Sequence, residues 1–345
     1  MKVKPLKKRL LMEISTEVDL APFNTLGVHA ITNYFCKVAN LSELRQALDF
    51  AKEKNLPVKI IGGGSNILIT GDYPGIIVQL ALLSIEWLND EGLVRVGAGE
   101  NWHEFVEHCL TKGSHGLENL ALIPGSVGAA PIQNIGAYGV ECEQFIVSVQ
   151  VYDQQQQSVV EFTREMCEFS YRDSVFKYEG ARHFVVLAVT FALHRVWPVN
   201  TSYGALAQEL AGRENVSHRD VFDAVCKIRR SKLPDPQVIG NAGSFFKNPL
   251  ITLDKFNALK AQYAQIPGYP VAEPGLIKTS AAWLLDQAGW KGKRRGGAGV
   301  HSEHALVIVN ADDASGDELL LLAQEMASSI LTKYGIALET EVQIL

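Results

Sequence analysis

The chain has 345 residues, of which 47% are hydrophobic and 20% are charged, values typical of a globular protein with two or three domains. Its net charge of −6 argues against nucleic acid as the main partner, because phosphate backbones demand clustered Lys and Arg. The five cysteines are scattered and never spaced as C-x-x-C, which favours free thiols in a reducing compartment over disulfides or a structural zinc site.

No apolar stretch is long enough to cross a membrane. The N-terminus is basic, but the apolar residues 10–12 that follow are too few for the core of a signal peptide. We therefore expect a cytoplasmic protein without a membrane partner, and Met12 is an alternative start of the chain.

In the first half, periodicity predicts a helix capped by Ser42 and a second helix that Asn101 and Glu104 open. Strands are predicted at residues 58–61, 67–69, 93–96 and 184–193, with a hairpin of residues 145–152 and 158–162.

In the second half, helices are predicted after the capping residues Ser217 and Asp220, at 281–288, and from Ser315 with Glu318 to a stop at Gly335. Strands are predicted at 306–309 and 336–345. Because there is no regular βαβ alternation, the pattern indicates an α+β fold.

A glycine-rich turn at residues 62–66 follows the strand at 58–61. It lacks the third glycine and the following helix of a Rossmann fingerprint, and it is not a P-loop. Such a turn can hold a pyrophosphate through its backbone amides. The alternative is a tight turn between two strands.

Residues 123–140 combine four glycines, two prolines and small apolar residues, a composition that suits neither an ordinary helix nor a packed strand. Backbone of this kind can lie against a large flat ligand and leave amides free to bind it. A long surface loop is the alternative, which the apolar composition disfavours.

The run Asn-Ala-Gly-Ser-Phe-Phe-Lys-Asn-Pro at residues 241–249 places Ser244 between small residues and a Phe-Phe pair. Without a nucleophile elbow, this serine is better suited to donate a proton inside a closed pocket, and the two phenylalanines could exclude water. The alternative is a Gly-Ser turn before a buried aromatic strand.

Together, the runs at 123–140 and 241–249 resemble the UDP-N-acetylenolpyruvoylglucosamine reductases, flavoenzymes of bacterial peptidoglycan precursor synthesis, and the resemblance covers residues 24–343. It implies a two-part FAD-binding module of the vanillyl-alcohol-oxidase/p-cresol-methylhydroxylase type at 24–196, split near 80–90. An N-terminal extension of residues 1–23 precedes it. A smaller α+β substrate domain follows at 197–345, with its last strand returning to the active site.

The resemblance further implies non-covalent FAD, NADPH as hydride donor, and a monomer that reduces UDP-N-acetylglucosamine enolpyruvate to UDP-N-acetylmuramate. In this comparison Ser244 is the proton donor, and Arg172 and Glu341 stabilise the substrate carboxylate. Taken alone, Arg172–Asp173 is an ordinary surface pair and Glu341 is a solvated residue of an edge strand, with Glu339 as a control position.

Further site residues are implied by the same resemblance. Tyr203 belongs to a mobile loop that closes over the substrate in one subtype of the family. Lys232, near a helix end, assists substrate and NADPH, although such a lysine commonly only satisfies the helix dipole. Arg294 stands where some relatives have glutamine, either as a solvated basic residue or as a contact to the diphosphate. The remaining substrate contacts are Asn248, Tyr269 and Lys278. The cofactor-binding set is Gly62, Gly63, Gly64, Ser65, Asn66, Pro124, Gly125, Ser126, Gly128, Gln133, Asn134, Gly136 and Arg229.

No metal site is proposed. The alternatives to a reductase are an oxidase and a non-catalytic sensor. An FAD-linked oxidase of the same flavin-binding architecture often tethers its flavin to a histidine, and residues 62–66 and 123–140 contain none. A non-catalytic nucleotide-sugar sensor should have lost Ser244, Arg172 or Glu341, and all three are present.

Overall fold

The computed structural model describes residues 12–345, so most of the basic N-terminal segment lies outside the described residues. Part of the predicted N-terminal extension, Ser15–Asp19, forms the edge strand of the first sheet. Within residues 12–345, no helix is long and apolar enough to span a lipid bilayer.

Among the described residues, the first half of the chain, residues 12–192, contains two α-helices and most of the strands. The helices are α1 (Leu41–Glu53) and α2 (Trp102–Thr111). The strands are β1 (Ser15–Asp19), β2 (Ile31–Val38), β3 (Val58–Ile61), β4 (Ile67–Leu68), β5 (Tyr73–Leu80), β6 (Ile85–Trp87), β7 (Leu93–Gly97), β8 (Gly136–Ala137), β9 (Val140–Glu141), β10 (Ile146–Asp153), β11 (Ser158–Thr163) and β12 (Phe184–Ala192).

The second half is richer in helix. The helices are α3 (Gly204–Glu209), α4 (His218–Lys232), α5 (Leu253–Gln262), α6 (Ala281–Gln287) and α7 (Gly316–Tyr334). The strands are β13 (Gly240–Ser244), β14 (Leu250–Thr252), β15 (Gly268–Pro270), β16 (Leu276–Thr279), β17 (Arg294–Arg295), β18 (Ala298–Val300), β19 (Val307–Asn310) and β20 (Gln343–Ile344).

The first sheet has the order β1-β2-β5-β3, and β2, β5 and β3 run parallel. Helix α1 connects β2 to β3 and buries Leu44, Ala47 and Ala51 in the core beside this sheet. The cap of α1 was predicted wrongly: Asn40 Oδ1 accepts from Glu43 N at 3.0 Å, so Ser42 already lies in the first turn. The sheet places the glycine-rich turn at the carboxyl end of β3.

The second sheet is antiparallel, with the order β11-β10-β12-β7-β6. The predicted hairpin is confirmed, because β10 and β11 pair from Ser148↔Thr163 to Asp153↔Ser158. Helix α2 begins as predicted, with Asn101 Oδ1 accepting from Glu104 N at 3.1 Å. Trp102 and Phe105 of α2 pack with residues of β7, β12 and α4 in one hydrophobic core, which ties α4 to this part of the molecule.

The C-terminal segment builds a sheet of order β13-β19-β18-β17 and a smaller sheet of order β14-β16-β15. Helices α6 and α7 pack with β18 and β19 in a separate core. Both predicted capping boxes, Ser217 with Asp220 and Ser315 with Glu318, are present.

The end of the chain departs from the single strand predicted for residues 336–345. Lys247 N donates to Glu339 O at 2.9 Å and Glu341 N to Phe245 O at 2.8 Å, whereas Gln343 N donates to Asn66 O at 3.0 Å. Because the segment changes partners after Glu341, only Gln343–Ile344 is regular strand, parallel to β4. Glu341 therefore lies between the glycine-rich turn and the run that contains Ser244.

Candidate active site

A cavity of about 710 Å³ lies where these segments meet, within the size range of small-molecule sites. Its wall includes the glycine-rich turn, part of the 123–140 segment and the end of α4. Arg172, Ser244 and Glu341 also line it. The structure thus brings the three predicted catalytic residues to one cavity.

The two glycine-rich segments pack directly against each other on one side of this cavity. Ser65 Oγ donates to Pro124 O at 3.1 Å. A Cβ on Gly63 would lie 3.3 Å from Gly125 Cα, and one on Gly125 would lie 2.7 Å from Ser65 Oγ. Small residues are therefore required for the close approach of the two backbones.

Backbone amides are available along this wall. Among the described residues, the N–H groups of residues 63–66, Gly125 and Ser126 find no hydrogen-bond acceptor. Consecutive free amides in a glycine-rich turn form an anion-binding concavity. The donor set therefore fits the pyrophosphate of a dinucleotide such as FAD.

A polar network connects the same turn to the chain end. Asn66 Nδ2 donates to Gln133 Oε1 at 2.6 Å and to Glu341 O at 3.1 Å. Asn66 and Gln133 both line the cavity, so the network fixes the spacing between the glycine-rich walls and Glu341.

The other predicted cofactor residues fall into two groups. Ten line the cavity: Gly62, Gly63, Gly64, Ser65, Asn66, Pro124, Ser126, Gln133, Gly136 and Arg229. Behind the wall, a Cβ on Gly128 would lie 2.5 Å from Ala98 Cβ, and Gly125 O accepts from Trp102 N at 3.0 Å. Asn134 is fully buried and donates to Glu141 Oε2 and Ser170 O. Gly128 and Asn134 thus shape the wall from behind, whereas Gly125 lies in the wall between two lining residues, Pro124 and Ser126.

Arg172 is held on three sides. Its Nε lies 3.1 Å from Glu341 Oε1, and its two Nη groups donate to Asn134 O and Gly136 O. The backbone of Arg172 is left-handed, with φ 55°, a sparsely populated conformation for a residue with a side chain. The guanidinium is thus fixed in place by the 123–140 segment and by Glu341.

Glu341 is partly buried, with 15% of its side chain exposed, and burial raises the pKa of its carboxyl above the ordinary value, while Arg172, Lys177 and Lys247 oppose that rise. Lys177 Nζ donates to Arg172 O at 3.0 Å. Lys247 Nζ pairs with Glu339 Oε1, so Glu339 is part of the charge network and not a neutral control.

The contribution of Lys177 and Lys247 to the site was missed from the sequence. Lys247 lies beside Asn248 in the run at 241–249, and Lys177 follows Arg172 by five positions. Nothing local at these positions indicates that both amines act on Glu341, because their approach depends on the packing of distant segments.

Ser244 is the last residue of β13 and pairs with Val307 across the sheet. Gly243 before it has φ 70°, and its N–H donates to Asn241 Oδ1 at 3.0 Å. The expected water-excluding role of Phe245 and Phe246 is wrong, because both side chains are buried in the C-terminal core and do not line the cavity. The turn presents Ser244 to the cavity while the aromatic pair anchors it.

None of the six predicted substrate residues is among those lining the 710 Å³ cavity, but Lys278 contacts Tyr171, which precedes the lining residue Arg172. Lys278 Nζ is 4.3 Å from the centre of the Tyr171 ring, and burial lowers the pKa of Lys278 while Glu141 opposes the change. Tyr269 is the strand partner of Lys278. Tyr171 thereby connects this pair to the neighbouring Arg172.

The remaining predicted residues are more dispersed. Tyr203 lies edge-on to Tyr138 at 5.3 Å between ring centres, and burial and the nearby Tyr269 raise the pKa of Tyr203. Asn248 Oδ1 accepts from Ala281 N at 3.0 Å. Lys232 is exposed in the last turn of α4, and Arg294 is exposed on β17.

These features are those of a flavin-dependent oxidoreductase with an FAD-binding domain. A family model described as an FAD binding domain matches residues 32–163. A second, described as the C-terminal domain of UDP-N-acetylenolpyruvoylglucosamine reductase, matches residues 235–345.

A curated relative from Chromobacterium violaceum, named UDP-N-acetylenolpyruvoylglucosamine reductase, is 44% identical over 342 residues, which cover 97% of this chain and 100% of the relative. The chain belongs to the UDP-N-acetylenolpyruvoylglucosamine reductase family. The resemblance seen in the two sequence runs is therefore confirmed.

Solved structures support the fold. The UDP-N-acetylenolpyruvylglucosamine reductase of Thermus caldophilus aligns with a TM-score of 0.67 at 24% identity, covering 97% of this chain and 99% of the other. The 6-hydroxy-D-nicotine oxidase of Arthrobacter nicotinovorans aligns with a TM-score of 0.53 at 13% identity, covering 95% and 87%. At these identities the similarity shows the fold alone, and it confirms the predicted α+β flavin-binding architecture.

Proposed function

We infer that this chain is an FAD-dependent reductase that uses NADPH to convert UDP-N-acetylglucosamine enolpyruvate to UDP-N-acetylmuramate, a precursor of bacterial peptidoglycan. The observation that carries this function is the convergence of Arg172, Ser244 and Glu341 on one cavity with two glycine-rich walls. Membership of the reductase family supports the substrate class.

The glycine-rich walls would hold FAD without a covalent bond. The free amides of residues 63–66, Gly125 and Ser126 would bind the pyrophosphate. Arg229, which lines the cavity and donates to Leu122 O at 3.1 Å, adds positive charge to the same site. Bound FAD would supply the hydride chemistry, accepting a hydride from NADPH and delivering it to the terminal carbon of the enolpyruvyl double bond.

Arg172 and Glu341 would act on the substrate carboxylate. When hydride reaches the terminal carbon, negative charge develops on this carboxylate as an enolate. The Arg172 guanidinium is fixed before substrate arrives, and the raised pKa of Glu341 favours a neutral carboxyl that donates a hydrogen bond. Preorganised donors of this kind stabilise developing charge strongly in a site shielded from water.

Ser244 would complete the reduction. It lines the same cavity as Arg172 and Glu341, so its Oγ–H can protonate the α-carbon once charge has moved onto the enolate. The carbon–carbon double bond then becomes a single bond, with one hydride and one proton added. A serine is suited to this step as an acid, because no G-x-S-x-G elbow presents it as a nucleophile.

The nucleotide part of the substrate would extend from Arg172 towards β15 and β16. Lys278 and Tyr269, paired on these strands, are proposed to bind it together with Asn248, Lys232 and Arg294. Tyr203 is proposed to close over the bound substrate from the other side. We further propose that the protein acts as a cytoplasmic monomer and that no nucleic acid or membrane takes part.

The test follows flavin absorbance without oxygen, adding NADPH first and the enolpyruvyl nucleotide sugar second. We expect bleaching with NADPH and recovery of colour only after the sugar is added. Recovery only on admission of air would favour an oxidase, and a protein that retains no flavin would contradict the proposed site. UDP-N-acetylglucosamine without the enolpyruvyl group is the matched control and should restore no colour.

A further inference from the structure

The side chain of Asn119 connects the flavin-side segment to the segment that carries Tyr203. Asn119 is buried, with 2% of its surface exposed. Its Nδ2 donates to Tyr138 O at 3.0 Å and to Asn200 O at 2.9 Å. One amide group therefore uses both of its protons to hold together two loops that are distant in sequence.

The two carbonyl groups that accept from Asn119 lie in the segments that carry Tyr138 and Tyr203, whose rings contact each other. Tyr138 follows β8, and its ring lies edge-on to Tyr203 at 5.3 Å. Asn200 precedes Tyr203 by three residues, and its Oδ1 accepts from Ser202 N at 3.2 Å and from Ser202 Oγ at 2.8 Å. A continuous series of hydrogen bonds thus runs from Asn119 through Asn200 to the residue before Tyr203.

The pair also reaches the cavity. Burial raises the pKa of Tyr138, while the nearby Arg229 guanidinium opposes that rise. Arg229 lines the cavity. Tyr203 is thus connected to the cavity wall through Tyr138, and the Asn119 amide holds together the two backbones that carry the tyrosines.

The turn that carries Asn119 is itself anchored. Glu118, buried at 2% exposure, accepts from Gly116 N at 2.7 Å and pairs with Nδ1 of His218 at the start of α4. The His218 ring stacks on His115 with 3.9 Å between centres. These contacts hold Asn119 in place whether or not the Tyr203 segment is docked.

We propose that Asn119 is a positioning residue that holds the Tyr203 segment against Tyr138 and so sets the affinity for the nucleotide sugar. This inference rests on the proposed role of Tyr203 in substrate binding. An aspartate of the same shape cannot replace it, because a carboxylate has no N–H to donate and would face two carbonyl oxygens.

The experiment compares Asn119→Asp and Asn119→Ala with the wild-type holoenzyme. A hydrogen bond contributes about 0.5–1.5 kcal/mol, so loss of two should raise KM for the enolpyruvyl sugar by about fivefold or more. We expect kcat at saturating sugar and the anaerobic rate of flavin bleaching by NADPH to stay within about twofold. Amide hydrogen exchange at residues 200–203 should become faster.

Two further variants separate positioning from loss of stability. Ser329→Ala removes the 2.7 Å hydrogen bond from Trp290 Nε1 in the C-terminal core and should leave KM unchanged. If the Asn119 variants do not fold, Asn200→Ala removes the contacts to Gly139 O and Ser202 and should raise KM in the same direction.

The outcomes distinguish this inference from the proposed function. If Tyr203→Ala raises KM and the Asn119 variants do not, Asn119 has no positioning role, whereas the reductase function stands. If Tyr203→Ala also leaves KM unchanged, the Tyr203 contact itself is refuted. We expect that the double variant Asn119→Ala with Tyr203→Ala raises KM no further than Tyr203→Ala alone, because both substitutions remove the same contact.

Discussion

The close packing of the glycine-rich turn against the backbone of Phe23 predicts that Gly64→Ala lowers the affinity for FAD. Gly64 has φ 64°, and a Cβ there would lie 2.0 Å from Phe23 O, a backbone atom that cannot rotate away. Left-handed backbone costs a residue with a Cβ about 1–2 kcal/mol, and overpacking costs about 1–3 kcal/mol. If the turn moves to relieve the contact, its amides leave the cofactor, and FAD affinity should fall roughly 30-fold or more.

Two other glycines separate the effect of a left-handed backbone from the effect of the clash with Phe23 O. Gly27 has φ 65° with no atom within 4 Å of its Cβ position, and Gly71 has neither a left-handed backbone nor such a neighbour. Titration of each apoprotein with FAD, followed by flavin fluorescence, should place Gly71→Ala at wild-type affinity and Gly27→Ala close to it, with lower thermal stability for the latter. If Gly64→Ala binds FAD as tightly as Gly71→Ala, the turn is not the cofactor wall inferred here.

Three further predictions concern the reacting groups. Ser244→Ala should leave bleaching by NADPH unchanged and slow colour recovery by the sugar by about 10²–10⁴-fold; normal rates in both half-reactions would remove Ser244 from the mechanism. Because the pKa of Glu341 is raised, its carboxyl keeps its proton above the ordinary range, and recovery should slow as pH rises through that pKa. In Glu341→Gln the amide does not titrate, so this decline should be absent, and a wild-type pH profile would contradict the assignment. Lys247→Met removes a cation that favours the carboxylate, so the decline should move to higher pH, and a move to lower pH would refute the proposed electrostatics.

What the sequence predicted correctly depends mainly on local chemistry. The capping boxes of α4 and α7 and the β10–β11 hairpin are each specified by residues within a few positions of one another. The cap of α1 shows the limit of this reasoning, because Asn40 and Ser42 are both good capping residues and only the backbone shows which one begins the helix.

What could not be predicted depends on contacts between distant segments. The alternation of residues 336–345 is typical of one strand, but its pairing partner changes from Phe245 to Asn66 within the segment. Likewise, Asn66 Nδ2 and Glu341 O are separated by 275 positions in the sequence. The proximity of Glu341 to the glycine-rich turn was implied by family resemblance, and the residues themselves gave no local signal for it.

The backbone around Arg172 shows how Arg172 and Glu341 are held relative to each other. Asn134, Tyr138 and Arg172 all have left-handed φ values, of 44°, 49° and 55°, and each such residue costs of order 1–3 kcal/mol. The strain at Arg172 is compensated by hydrogen bonds from its guanidinium to Asn134 O and Gly136 O and by the 3.1 Å contact between its Nε and Glu341 Oε1. Because these acceptors belong to the same segment that walls the cofactor site, movement of that wall would displace Arg172 from Glu341. The geometry therefore couples the position of the proposed cofactor wall to the two groups that we propose stabilise the enolate.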